Sequence, residues 1–328
     1  MKTSSITILA TLFQLCCLPI GQAQTPTEFP DKPVHIVVGT AAGSTGDGMI
    51  RLLQNPIGEF FGQPVVVDNR LGAGGIVGTD YGARVPADGY TVTLGSTSTI
   101  ITSPALNSSV KYRVESFAPI VGLAESAYVI VTGATPDSPR TLADLLDYLR
   151  KADGTYGSLG VGAFGHLGAE LLLTRAGVQA LHIPYKSGHL NDVVSGRLTF
   201  AIVTVAEAAP LIAADRLRAL AVTSSSRVAG LPDVPTVAQS DAAERYGLSD
   251  FRLVVWFGLF APAGTPEAVI ARWHEAAARA LGQPEVRERL TSMTLEPTAL
   301  SPAEFGSLIA KEQPIWNDFI QQTGLKVE

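Results

Sequence analysis

The sequence predicts an α/β protein of two lobes around a cleft, and three observations carry that expectation. Apolar strands and helices alternate through most of the chain, as in helices covering a largely parallel sheet. Three times, a short strand runs into a Gly/Ser/Thr-rich turn that opens a helix: at Gly39–Gly46, at Gly72–Gly75 and at Gly160–Gly165. Two apolar segments, Ala127–Val131 and Phe251–Phe257, stand outside the alternation and bracket a central block of about one domain's size.

In chain order, strands are expected near 34–38, 64–68, 90–94, 119–123, 127–132, 155–158, 181–184, 199–204, 217–222 and 251–260. Pro56 is expected to kink or split the helix after the first turn. Thr141 with Asp144, and Ser301 with Pro302 and Glu304, give ordinary helix starts, and Thr265-Pro266-Glu267 resembles them. If the chain leaves the first lobe at the first bracketing segment and returns at the second, lobe 1 comprises 24–124 plus 251–328. Lobe 2 is then 125–250.

Residues 1–23 have the pattern of an export signal: Lys2, the mostly apolar runs Ile6–Phe13 and Leu15–Ile20, and small residues around Ala23. Cleavage near Ala23 and a periplasmic location are therefore expected. Phe13-Gln14-Leu15 lacks the small residues that precede a lipid-modified cysteine, which ranks lipid anchoring second. Both cysteines, Cys16 and Cys17, lie in this segment, so a mature chain of 305 residues would hold together by packing alone. It would carry 23 basic and 30 acidic residues, a net charge of −7, with no basic run to suit nucleic acid or an anionic membrane.

The three turns aim backbone N–H groups and helix dipoles at whatever lies before them, which suits a small anion. The hydroxyls of Thr40, Ser44, Thr45, Ser96, Thr97, Ser98 and Thr99 fall at the strand ends where open α/β sheets bind ligands, although such residues also cap helices. Asp47, opening the first long helix, has the place of a cap, and Arg70 that of a structural partner for an acid. Gly160-Val-Gly-Ala-Phe-Gly165 spells G-x-G-x-x-G, but no acid follows the next strand to hold a ribose, where the chain reads His182-Ile-Pro-Tyr-Lys-Ser187. The five histidines show no metal-binding spacing. Ser108-Ser-Val-Lys111 matches S-x-x-K without its companion motifs. The sequence supplies no catalytic set, no metal site and no cofactor, and points to a receptor. The competing class is an exported enzyme using His166, His182 or His189.

The chain resembles the Bug-type (TctC-like) extracytoplasmic solute receptors of tripartite tricarboxylate transporters over essentially all of 29–328. Phe29–Val34, Gly62–Arg70, Gly72–Gly75, Asp88–Thr91, His166–Glu170, His182–Lys186, Leu217–Ser224, Leu231–Thr236 and Trp256–Pro266 carry the resemblance, in that order. It implies a two-lobed periplasmic binding fold of the Venus flytrap kind, closing on a small carboxylate (a di- or tricarboxylate, amino acid or aromatic acid) that is delivered to a membrane permease, the receptor being a monomer. A receptor that signals instead of feeding a transporter is the second reading. By position, the ligand loops are Thr40–Asp47 and Ser96–Ser103 in lobe 1. In lobe 2 they are Ser158–His166, Tyr185–His189 and Val203–Ala206. The implied contacts within them are Thr40, Ala42, Ser44, Thr45, Gly46, Asp47, Ser96, Thr97, Ser98 and Ser103, facing Ser158, Gly160, Gly162, Ala163, His166, Tyr185 and Thr204. The first loop departs from the family's usual Pro-Phe-x-Pro-Gly-Gly, and the segment after Lys186 is shorter and brings His189 towards the cleft. These departures leave open a ligand other than a plain dicarboxylate.

Overall fold

A computed structural model describes residues 29–326, and the export signal expected at 1–23 lies outside the described residues. In chain order the elements are β1 (Val34–Val38), α1 (Thr45–Phe61), β2 (Val65–Asn69), α2 (Ile76–Gly82), β3 (Thr91–Ser96), α3 (Ser103–Leu106) and β4 (Phe117–Gly133). Next come α4 (Leu142–Lys151), β5 (Thr155–Ser158), α5 (Phe164–Ala176), β6 (Leu181–Pro184), α6 (His189–Val194), β7 (Phe200–Thr204), α7 (Val205–Ala213) and β8 (Leu217–Val222). The chain closes with β9 (Val254–Pro262), α8 (Glu267–Leu281), α9 (Pro284–Ser292), β10 (Glu296–Leu300) and α10 (Pro302–Thr323). A π-helical turn, Thr97–Thr102, joins β3 to α3.

Two lobes share one strand. In the first, β1 pairs parallel with β2 and β3, and β9 lies antiparallel between β3 and β4. In the second, β5 pairs parallel with β6 and β7, while β7 and β8 flank β4 antiparallel. The handover falls within one residue, since Ala127 pairs with Val254 of β9 and Tyr128 with Thr204 of β7. Buried Thr223 ties both crossings together. Its hydroxyl accepts from the Tyr128 N–H at 3.0 Å and lies 2.5 Å from the Leu253 carbonyl, and the Leu253 N–H donates to the Thr223 carbonyl. Beside it, Arg252 pairs with Glu125 and, at 2.6 Å, with Glu312, whose other oxygen accepts from the Trp256 indole.

Several expectations are corrected here. The strands expected at 119–123 and 127–132 are one strand of 17 residues. The polar Glu125 and Ser126 that separate two apolar runs in the sequence stay in the ladder, opposite Trp256 and Val255. β9 begins at Val254, not 251, because Leu253 turns its N–H to Thr223. β10 has no counterpart in the expectation, since Glu296-Pro-Thr-Ala-Leu300 is a half-exposed edge with a proline and an irregular register. Pro56 does not split α1, because burial of Leu53, Ile57 and Phe61 on either side of it holds the helix together. Thr265 does not cap α8: its hydroxyl donates to the Pro262 carbonyl, and the capping position is Pro266. The boxes at Thr141/Asp144 and Ser301/Glu304 form as expected.

Candidate functional site

Each lobe presents a cavity where its strands end and its helices begin. The lobe 1 cavity, about 240 Å³, lies under the α1 N-terminus and the end of β3. Thr40, Ser44, Thr45, Gly46 and Ser96 line it, together with Gly39, Gly75, Thr79, Leu94, Gly95, Thr99 and Phe257. Ser44 caps α1, its hydroxyl accepting from the Asp47 N–H at 3.4 Å and sharing a 2.7 Å hydrogen bond with the Thr40 hydroxyl. The loop fits there because glycines meet: a Cβ on Gly39 would lie 2.8 Å from the Gly75 carbonyl oxygen. The next N–H groups of α1 belong to its first turn, which has no carbonyl of its own to bind.

Asp47 holds this loop from behind. One carboxylate oxygen accepts from the Gly43 N–H and the Arg51 Nε, both at 2.8 Å, and the other accepts from the Asn69 amide at 2.8 Å. Burial pushes its pKa up, but hydrogen bonds from Arg51, Gly43 and Asn69 outweigh that and bring it to about 2. Its carboxylate is therefore spent on the loop and does not line the cavity, unlike the ligand contact the resemblance implies, and the cap of α1 is Ser44. Buried Thr97 accepts from the Trp256 N–H at 3.1 Å. Ala42, Ser98 and Ser103 also lie outside the lining.

In lobe 2 the cavity is about 110 Å³, between the N-termini of α5 and α7. Ser158, Ala163 and Thr204 line it with Tyr128, Leu159, Phe164, Gly165, His189, Ile202, Val203 and Glu207. The 158–166 loop is braced by rings instead of ions. His166 and His182 stack with centroids 4.1 Å apart, and Tyr156 stacks on His182 at 4.9 Å. The His166 Nδ1 accepts from the Gly162 N–H at 3.1 Å, which requires the neutral ring with its proton on Nε2. Burial lowers the pKa of His166, and burial together with the neighbouring His166 lowers that of His182 to about 4.

Ser158 Oγ lies 2.7 Å from His182 Nε2, a spacing that invites an enzymatic reading. The same hydroxyl also sits 3.0 Å from the Gly160 carbonyl and 3.2 Å from the Gly160 N–H, and Ser158 is 2% exposed. It is the knot of the loop. Gly160, Gly162 and His166 belong to this brace and not to the lining, while the Tyr185 hydroxyl is committed to Asp192 at 2.6 Å. His189 does line the cavity, as the shortened segment suggested. Tyr128 and Phe257 were hidden in the sequence as apolar strand residues. Glu207 was hidden as the third helical residue of a Thr-x-x-Glu capping box.

A roomier groove of about 530 Å³, lined by Arg113, Gln313 and Lys326 among others, lies at the far end of α10, away from the converging N-termini. Among the described residues no His/Cys/Asp/Glu group is placed to hold a metal ion, and no helix is long and apolar enough to cross a membrane.

The family model described as "Tripartite tricarboxylate transporter family receptor" matches residues 49–325. The UPF0065 protein in the tcbD-tcbE intergenic region of Pseudomonas sp. (strain P51) is 36% identical over 305 residues, covering 91% of this chain and 88% of that protein. R. palustris Rpa4515, solved with adipate, is 29% identical with a TM-score of 0.72 over 91% of this chain and 99% of that one. MatC from Rhodopseudomonas palustris, solved with bound malate, is 29% identical with a TM-score of 0.68 over 89% of this chain and 100% of that one.

Proposed function

The chain belongs to the tripartite tricarboxylate transporter receptor family, and from that premise we propose that this solute receptor captures a small carboxylate between its lobes and delivers it to a membrane permease. The observation that carries the reading is the pair of cavities, each at helix N-termini and each on its own lobe. Micromolar capture needs about 8 kcal/mol. One helix N-terminus supplies at most ~2 kcal/mol even when partly buried. Donors from both lobes must therefore meet on one ligand, and closure is the way they meet. The ligand shifts the open–closed balance, and the permease reads the closed form.

Lobe 1 is then 24–124 plus 251–328 and lobe 2 is 125–250, with the exported protein working in the periplasm. The strand handover at Ala127 and the Thr223 clasp at Leu253 support that division. Malate and adipate, bound by the similar structures, are small carboxylates and support the ligand class. Contacts would come from the α1 and α5 backbone, from the Thr40 and Ser44 hydroxyls, and from bridging waters.

Thermal melting of residues 24–328 against mono-, di- and tricarboxylates and amino acids tests the reading. Ligand at about 100 times its dissociation constant adds about 2.7 kcal/mol and raises the midpoint by several degrees. A shift confined to carboxylates, with the compound recovered chemically unchanged, is expected. No shift with any carboxylate overturns it.

A further inference from the structure

Among the side chains lining the two cavities, the lobe 1 set is uncharged, whereas lobe 2 contributes the carboxylate of Glu207. Glu207 caps α7 with one oxygen only: Oε2 accepts from the Thr204 N–H at 3.2 Å and from the Thr204 hydroxyl at 3.0 Å. Glu207 is exposed, and among the described residues its Oε1 has no protein partner, which leaves it free to accept. Next to it lies a buried polar group without a partner. His189 is 4% exposed, lines the same cavity, and its ring makes no hydrogen bond among the described residues. The Tyr128 hydroxyl is likewise unpartnered there, its ring packed on Phe164 with centroids 5.2 Å apart. Buried polar groups are normally satisfied, so the unpartnered imidazole of His189, beside the exposed Glu207 carboxylate and the half-buried Tyr128 on the same cavity, marks a place where a ligand completes it.

Charge decides which ligand. Glu207 already neutralises the positive end of α7, whereas Asp47 in the first turn of α1 is itself neutralised by Arg51 at 2.8 Å and α5 carries no acid in its first turn, so the termini left for an anion are those of α1 and α5. A second carboxylate pushed against the exposed Glu207 would place like charges together, and closure, by excluding the water between them, would raise the cost. An ammonium or amide N–H would instead find the Glu207 carboxylate and the Tyr128 oxygen as acceptors, with the neutral imidazole of His189 offering one nitrogen more.

We infer that the Glu207–His189–Tyr128 corner is a subsite for a nitrogen-borne donor, so that the ligand is a monocarboxylate with an ammonium or amide at its other end, not a symmetric dicarboxylate. The inference rests on the proposed capture of a carboxylate at the α1 and α5 termini.

Calorimetric titration of matched pairs tests it: succinate against 4-aminobutyrate and succinamate, adipate against 6-aminohexanoate and adipamate. In the wild-type chain the nitrogen-bearing member of at least one series binds about tenfold or more tighter than its diacid, the scale of one well-placed charge pair. Glu207→Gln keeps the capping box, which glutamine also forms, and brings each pair to within about threefold by weakening the amine and admitting the diacid. Tyr128→Phe, which leaves the ring packing intact, weakens the nitrogen-bearing member alone. Diacids binding as tightly as their partners, or a ratio that Glu207→Gln leaves unchanged, overturns the inference while leaving carboxylate capture standing. Failure of every compound to bind either protein brings down the carboxylate reading as well.

Discussion

Both lobes end a parallel strand in a small-residue turn that opens a helix, yet they stiffen that turn by opposite means. Lobe 1 uses charge: Asp47, ionised and nearly inaccessible, gathers Gly43, Arg51 and Asn69. Lobe 2 uses neutrality: His166 can accept from Gly162 only without its second proton, and it stacks on His182 and Tyr156. The cavities in front carry the reverse pattern, an uncharged lining in lobe 1 and Glu207 in lobe 2. A brace and the site it serves thus divide the electrostatic work: lobe 1 sets its ion pair behind the turn, and lobe 2 sets Glu207 in front of it.

Acid titration separates the two braces most widely, because it acts on every member at once. The folded pKa of His182, about 4, lies below its ordinary 6.5, so the unfolded chain takes up protons first and stability falls as pH drops from 6.5 to about 4. The folded pKa of Asp47, about 2, lies below 3.8, so its contribution is complete above 3.8 and is lost between there and about 2. On acidification the protection factors of the amides in 158–166 should therefore fall at a higher pH than those in 40–47. Simultaneous loosening, or lobe 1 going first, would end the contrast.

Single substitutions sharpen it further. Asp47→Ala takes the acceptor from the Gly43 N–H and the Asn69 amide, while half-exposed Arg51 is left to solvent, and should cost about 2 kcal/mol in denaturant unfolding. Tyr156→Phe removes the hydroxyl that Glu170 accepts from and should cost roughly 1–2 kcal/mol, with little dependence on salt. A Cβ on Gly165 would lie 2.4 Å from the Ile202 carbonyl oxygen, and one on Gly39 would lie 2.8 Å from that of Gly75. Alanine at either position should cost about 2 kcal/mol and weaken ligand binding, since the backbone lining the cavity must move. Ser44→Ala, the mildest change, removes the α1 cap for about 1 kcal/mol. A Ser44→Ala effect as large as that of Asp47→Ala would show that the cap, not the ionic brace, holds the lobe 1 loop.

Much of the fold was legible because its signals are local. Strand positions follow apolar runs, and helix starts follow capping boxes at Thr141 and Ser301. The Gly-rich turns announced where backbone donors would gather. The hydroxyl cluster was a mixed guide: Thr40, Ser44, Thr45, Ser96 and Thr99 reach the lobe 1 cavity, but Thr97 is consumed by the Trp256 N–H and Ser98 stays outside the lining. Position on a turn does not reveal which way a hydroxyl faces. Tyr128 and Glu207 were invisible for a related reason, since one reads as strand and the other as cap until both face the same space.

By itself, then, the sequence determined the order of strands and helices, the places where the backbone would offer donors, and the family, because periodicity, capping and glycine conformations are written within a few residues of one another. Only the tertiary structure decided that β4 is a single strand serving two sheets, that Asp47 faces backwards, and that Glu207, His189 and Tyr128 share one corner. Those three residues are 79, 61 and 18 positions apart in the pairs Tyr128/Glu207, Tyr128/His189 and His189/Glu207, and a long-range contact has no local signature. Strand register and helix packing bring them together.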